Sequence, residues 1–168
     1  MIAEYFWPAP MVDLEGTLSD HTARLAILLA NTKTDVRHRP SWKEYYKGLI
    51  EDQPRQHILD LVHEWIKAEI RPLIYSTRFI NKYNHEEQWL RTHKLWGNVD
   101  LIQRLPTQTT IKGPDLVVQW VKKYRPEIVI DDRDDVRDKI RGLVPGMKVY
   151  GPDAFLNPEG DTHGDSLR

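Results

Sequence analysis

Short apolar runs alternate with segments of helical period along most of this 168-residue chain. The run Pro72-Leu73-Ile74-Tyr75-Ser76 follows an amphipathic stretch, 54–69, in which Ile58, Leu61, Val62, Trp65 and Ile66 share one stripe. A β-branched run at 127–130 follows a helical segment at 114–124 that opens on proline, where the missing N–H has no partner to lose. Further strands are expected at 11–14, 99–103 and 147–150. Further helices are expected at 21–30, 41–50, 86–94 and 133–141. Ser41, with Glu44 three residues on, caps the second of these, and Gly142 stops the last. Pro8 and Pro10 confine the first strand to a few residues. Strands that alternate with helices require right-handed crossovers and a parallel sheet covered on both faces. The expected fold is therefore α/β, a doubly wound parallel sheet.

Open parallel sheets bind ligands at the carboxyl ends of their strands, so the residues found there constrain function most. The first strand ends in Asp13 and Glu15. The PLIYS strand ends in Ser76, Thr77 and Arg78. The 127–130 strand ends in Asp131 and Asp132, and Lys112 opens the helix before it. Acids, a hydroxyl and cations at one rim suit phosphoryl transfer. A carboxylate can attack phosphorus, two or three carboxylates make a hard oxygen site for Mg²⁺, and a cation neutralises phosphate oxygens. A second carboxyl protonates the leaving alcohol and then deprotonates water.

Other chemistries are excluded by what is missing. The chain has no cysteine, which removes disulfides, thiol catalysis and cysteine-rich zinc sites. His21, His57, His63, His85 and His93 lack metal-ligand spacing. The run 131–138 resembles a calcium loop, but Val136 stands where that loop needs glycine. There is no phosphate-binding P-loop and no Gly-x-Ser-x-Gly elbow. A net charge of −1 gives no global field to draw in nucleic acid. The basic segment 33–47 reads as a solvated face. No apolar run is long enough to span a membrane, and the N-terminus lacks the pattern of a secretory leader. A cytoplasmic protein is expected, in a host cytoplasm if the chain is phage-encoded.

In order and on the expected elements, these motifs resemble those of the haloacid dehalogenase superfamily of phosphohydrolases. The likeness is greatest to the phosphatase domain of phage polynucleotide kinases and related small phage phosphatases. Asp13 to Leu18 matches the first motif, Ser76-Thr77-Arg78 the second, Lys112 the third and Asp131-Asp132 the fourth. Arg24, eleven residues beyond Asp13, and Arg104 match basic positions of that subgroup. The resemblance covers about residues 11 to 151. It implies that Asp13 is nucleophile and metal ligand, and that Glu15 gives a backbone carbonyl to Mg²⁺ and a side chain as general acid/base. Asp132, with Asp131 beside it, completes the metal set. Ser76 and Lys112 bind the phosphoryl group. Thr77, Arg78, Arg24 and Arg104 serve substrate binding. The domain is expected over 1–151, with a small helical cap insert within 18–70 and a flexible tail at 152–168. The implied substrate is a nucleic-acid 3′-phosphate end or a mononucleotide, no protein partner is identified, and a mononucleotide-specific 5′-nucleotidase is the alternative.

Three departures qualify the match. Glu15 stands where the family has aspartate, Thr77 replaces a glycine, and Gln108 replaces an acid four residues before Lys112. Glutamate is one methylene longer, so its carboxyl must fold back or shift. A nucleotide- or protein-binding module that kept the fold is the reading if it does not act as the acid. Trp42, Tyr45 and Tyr46, in the cap segment, either pack a small insert or stack on a base.

Overall fold

The computed structural model describes residues 9–32, 42–80 and 83–156. Seven strands and six α-helices are found among them. The strands are β1 (Met11–Asp13), β2 (Ser19–Asp20), β3 (Gln53–Pro54), β4 (Leu73–Phe79), β5 (Asp100–Arg104), β6 (Ile128–Ile130) and β7 (Lys148–Tyr150). The helices are α1 (Thr22–Thr32), α2 (Trp42–Lys47), α3 (Gln56–Lys67), α4 (His85–Thr92), α5 (Gly113–Tyr124) and α6 (Asp134–Leu143). Five strands form one sheet in the order β5-β4-β1-β6-β7, and every neighbouring pair is parallel. The expected doubly wound α/β fold is the one observed.

The two-residue alternation of a pleated strand divides the core. Val12, Ile74 and Ile130 face Ile58, Val62, Trp89 and Leu90 on α3 and α4. Met11, Tyr75 and Val129 face Leu116, Trp120, Val121, Val136 and Ile140 on α5 and α6. Strands buried on both faces have no polar side to alternate with, which is why their sequences read as unbroken apolar runs.

Four differences from the sequence reading have local causes. β4 continues to Phe79, with a register shift against β5 between Ser76 and Phe79, so the polar Ser76-Thr77-Arg78 segment lies inside the strand. α6 runs through Gly142 to Leu143, because an isolated glycine weakens a helix without ending it. β2 and β3 pair as an antiparallel ladder too short to carry a periodic signal. The packed body continues past residue 151 as a 3₁₀ turn at Pro152–Phe155. There the Pro152 carbonyl accepts a bond from His57 Nε2 at 3.1 Å, and Phe155 packs on the core. Ser41, the expected cap, lies outside the described residues, as do 157–168 of the expected tail. No described helix is long and apolar enough to cross a membrane.

Between β1 and α3 the chain leaves the sheet as an insert containing β2, α1, α2 and β3. One buried ion pair ties it down. The Arg24 guanidinium on α1 grips Asp52 through three bonds of 2.7–2.9 Å, and Ser19 Oγ donates to the same carboxylate at 3.2 Å. Trp89 Nε1 of α4 donates to the Asp52 carbonyl at 2.9 Å, which pins the insert to the sheet domain.

Candidate active site

β1 lies at the centre of the sheet and ends at Asp13, and the adjacent β6 leads directly into Asp131 and Asp132. Carboxylate oxygens of these three residues lie within 4.8 Å of one another. Thr17 ties the two loops together. Its hydroxyl accepts from the Asp132 backbone N–H at 2.9 Å and lies 3.3 Å from Asp13 Oδ2 and 3.5 Å from Asp132 Oδ1. Asp131 is held from both sides, by the buried Tyr75 hydroxyl on Oδ2 and by the Arg133 backbone N–H on Oδ1 at 2.8 Å. Asp132, beside it, is only partly buried.

The glycine of the opening motif is required twice over. Gly16 has φ +95°, where side chains are strained, and a Cβ there would stand 2.4 Å from Asp132 Oδ2 and 3.0 Å from His21 Cε1. The first loop and the fourth motif therefore touch through the space a side chain would fill.

Packing acids this closely has an electrostatic consequence. Burial, then the charges of Asp131, Glu15 and Asp132, push the Asp13 carboxyl well above its usual range. Burial raises Asp131 to about 6 against the opposing bond from Tyr75, and burial raises Asp132. Three carboxyl groups at this spacing, two of them buried, coexist by sharing protons or by sharing a cation. All are hard oxygen donors on rigid strand ends, and this set fits a divalent cation of the Mg²⁺ class.

Glu15 does fold back. Its carboxyl accepts from Ser76 Oγ at 3.1 Å and from Arg78 Nε at 3.0 Å, and its side chain is 11% exposed. Burial raises it to about 7, with the Arg78 charge opposing. The extra methylene thus spends the Ser76 hydroxyl on Glu15. Ser76 is fully buried behind it and does not line the cavity.

That cavity, of about 710 Å³, is lined at the sheet by Asp13, Glu15, Asp131, Thr77 and Arg78. Tyr45, Tyr46 and His21 from the insert close one side, and Phe79, Tyr83, His85 and Arg104 form the outer wall. Tyr45 and Tyr46 line it by stacking on guanidinium groups. Arg24 sits 4.3 Å from the Tyr45 ring centroid and Arg78 sits 4.5 Å from that of Tyr46. Arg24 itself is committed to Asp52 and the Tyr45 carbonyl and does not line the cavity. Arg104 does line it, its guanidinium 5.0 Å from the Phe79 ring centroid.

Lys112 is exposed at the N-terminal cap of α5 and is not among the cavity residues. Arg133 is. Asp135 holds its Nε and Nη2 at 3.0 and 2.6 Å, and its Nη1 lies 3.6 Å from where a Cβ on Gly113 would stand, close to Thr77. The sequence reading did not single out Arg133, although it directly follows the two aspartates of a strand end. His21 was also missed as a site residue, since nothing in its spacing links it to the Tyr45 hydroxyl, 3.3 Å from its Nδ1.

No family model matches the chain, and no curated protein matches it in sequence. Solved structures do match. A chain of the Pnkp1/Rnl/Hen1 complex is similar at TM-score 0.62 and 15% identity, over 88% of this chain and 47% of that one. A chain of the Pnkp1/Rnl/Hen1 RNA repair complex is similar at 0.56 and 16%, over 85% and 42%. This chain therefore spans about half the length of those two. A haloacid dehalogenase-like family hydrolase from Streptococcus pneumoniae is similar at 0.59 and 17%, over 92% of this chain and 91% of that one. With the five-stranded parallel order and a carboxylate at the end of its central strand, the chain has the fold of the haloacid dehalogenase-like hydrolases.

Proposed function

We propose that this protein is a Mg²⁺-dependent phosphomonoester hydrolase that acts on nucleotide-type substrates through an aspartyl-phosphate. The observation that carries the reading is the cluster of Asp13, Asp131 and Asp132 at the ends of two adjacent central strands, of which Asp13 and Asp131 line one cavity. Asp13, Asp132 and Asp131, with the Glu15 backbone carbonyl, would hold Mg²⁺. The bound ion would neutralise phosphate charge so that one anion can approach another.

The chain's own groups supply the rest. An Asp13 oxygen attacks phosphorus as the bond to the leaving oxygen breaks, and the Glu15 proton passes to that oxygen. Water then attacks phosphorus, giving its proton to Glu15 as the bond to Asp13 breaks. A carboxyl raised to about 7 is suited to both roles near neutral pH. Arg133, which lines the same cavity as Asp13 and Asp131, would support the phosphoryl oxygens in the place expected of Lys112. The rings and cations of the outer wall suit the nucleoside portion, and the likeness to chains of an RNA repair complex supports that class.

The test is a Mg²⁺-supplemented screen of phosphorylated nucleosides and 3′-phosphorylated oligonucleotides, with Asp13→Asn as the blank. Phosphate release that EDTA abolishes and the variant lacks is expected. Release that survives the variant would contradict the reading.

A further inference from the structure

Glu15 is clamped where the mechanism needs it to move. Its carboxyl accepts from Ser76 Oγ at 3.1 Å and from Arg78 Nε at 3.0 Å, and the Arg78 side chain is only 10% exposed. To reach a leaving oxygen, Glu15 must let go of both. The Arg78 guanidinium is meanwhile kept in place by the rings of Tyr46 and Tyr45, whose centroids lie 4.5 and 5.5 Å from it. A buried cation that loses its carboxylate is strongly destabilised, so the turn of Glu15 calls for a second acceptor for Arg78.

Glu86 meets that need. It lies in the first turn of α4, is 1% exposed, and neither of its carboxylate oxygens has a donor among the described residues. Arg78 Nη1 is its complement, buried and without an acceptor among the same residues. Burial raises the Glu15 carboxyl, the Arg78 charge opposes that shift and the Glu86 charge adds to it, so both groups act on Glu15 in the same buried region. Each unpaired group is costly as it stands, and pairing them would satisfy both. The N-terminal end of a helix favours an acid, which helps the Glu86 carboxylate persist there without a donor. Glu86 does not line the cavity, so a bound substrate does not compete for it.

Resting on the phosphohydrolase reading above, we infer that Glu86 is a positioning residue for the reaction: it takes over the Arg78 guanidinium when Glu15 turns toward the leaving oxygen, and gives it back when Glu15 returns. Two carboxylates thus share one arginine, and its exchange between them frees the acid.

The exchange is tested with Glu86→Gln and Glu86→Leu, each made in wild type and in Glu15→Gln. Urea midpoints are compared at one fixed pH. In wild type both substitutions remove a buried carboxylate that has no donor, and the midpoint should rise by about 0.5 M. In Glu15→Gln the arginine is already on Glu86, so the same substitutions should lower the midpoint by about 0.5 M. Shifts of the same sign in both backgrounds, or none in either, overturn the exchange. Rates are then compared for 4-nitrophenyl phosphate, whose leaving group departs without a proton, and thymidine 3′-monophosphate, whose leaving hydroxyl needs one. Both substitutions should lower kcat for the nucleotide relative to the aryl ester by about tenfold, with little change in KM. Equal losses on the two compounds, or a loss confined to KM, overturn the positioning role and leave the phosphatase reading standing. No turnover of either compound by wild type overturns the phosphatase reading alone, and the urea midpoints still decide whether Glu86 and Glu15 share the arginine.

Discussion

Gly16→Ala is the sharpest test of how the two acidic loops are assembled. The added Cβ would meet Asp132 Oδ2 at 2.4 Å, and ordinary contact begins near 3.4 Å, so the carboxylate must retreat by about 1 Å. A misplacement of that size at reacting groups costs on the order of a hundredfold in rate. The backbone adds its own strain, since φ is +95°. That strain is worth about 1–3 kcal/mol, or roughly 2 to 12 °C in Tm for a chain this size. Gly97→Ala separates the two effects. Gly97 has φ +90° but nothing within 4 Å of the added atom, so it reports strain without overlap. Turnover at saturating Mg²⁺ and Tm by circular dichroism are measured for both variants. Gly16→Ala should lose about a hundredfold in rate, while Gly97→Ala should lose Tm and keep its rate. Equal rates for both variants would refute the claim that Asp132 is positioned against the first motif.

Other expectations follow from the same geometry. Glu15→Gln should lower turnover by about 10²- to 10⁴-fold, because the amide cannot deliver a proton. With the wild type, turnover should fall as pH rises past about 7, where Glu15 loses the proton it donates. The same shift makes stability fall between pH 4.5 and about 7, because the unfolded chain releases this proton first. Glu15→Gln should remove about 3 kcal/mol of that pH-dependent change, read from urea midpoints across the window. Tyr75→Phe removes the hydroxyl that holds Asp131 and lowers its pKa, so Mg²⁺ affinity near neutral pH should weaken about ten- to a hundredfold by activity titration. Unchanged affinity would count against Asp131 as a ligand. Arg24→Ala leaves the buried Asp52 carboxylate without its cation and should cost about 3–5 kcal/mol in urea unfolding. A loss below about 1 kcal/mol would mean that the insert is held by other contacts.

The sheet was legible because its strands are buried on both faces and read as apolar runs between amphipathic helices. Asp13, Asp131 and Asp132 were legible because strand ends are where such runs stop. The side-chain geometry around them was not. Lys112 was expected at the phosphoryl group from its place in the chain, but that place fixes only a helix cap, and Arg133 reaches the cavity instead. Ser76 was expected on the phosphate, and the longer Glu15 side chain takes its hydroxyl. Arg24 was read as a substrate group, and its partner Asp52 lies 28 residues away, beyond any local pattern. Tyr45 and Tyr46 were read from sequence as packing a small insert or stacking on a base. They stack, on arginines that come from two other elements.

The most direct test of the central claim is to quench the protein in acid during turnover of a ³²P-labelled phosphomonoester and map the label by peptide mass spectrometry. The account predicts acid-stable, hydroxylamine-labile phosphate on Asp13, formed only with Mg²⁺. Steady release of phosphate with no label at Asp13, or label on any other side chain, would contradict it.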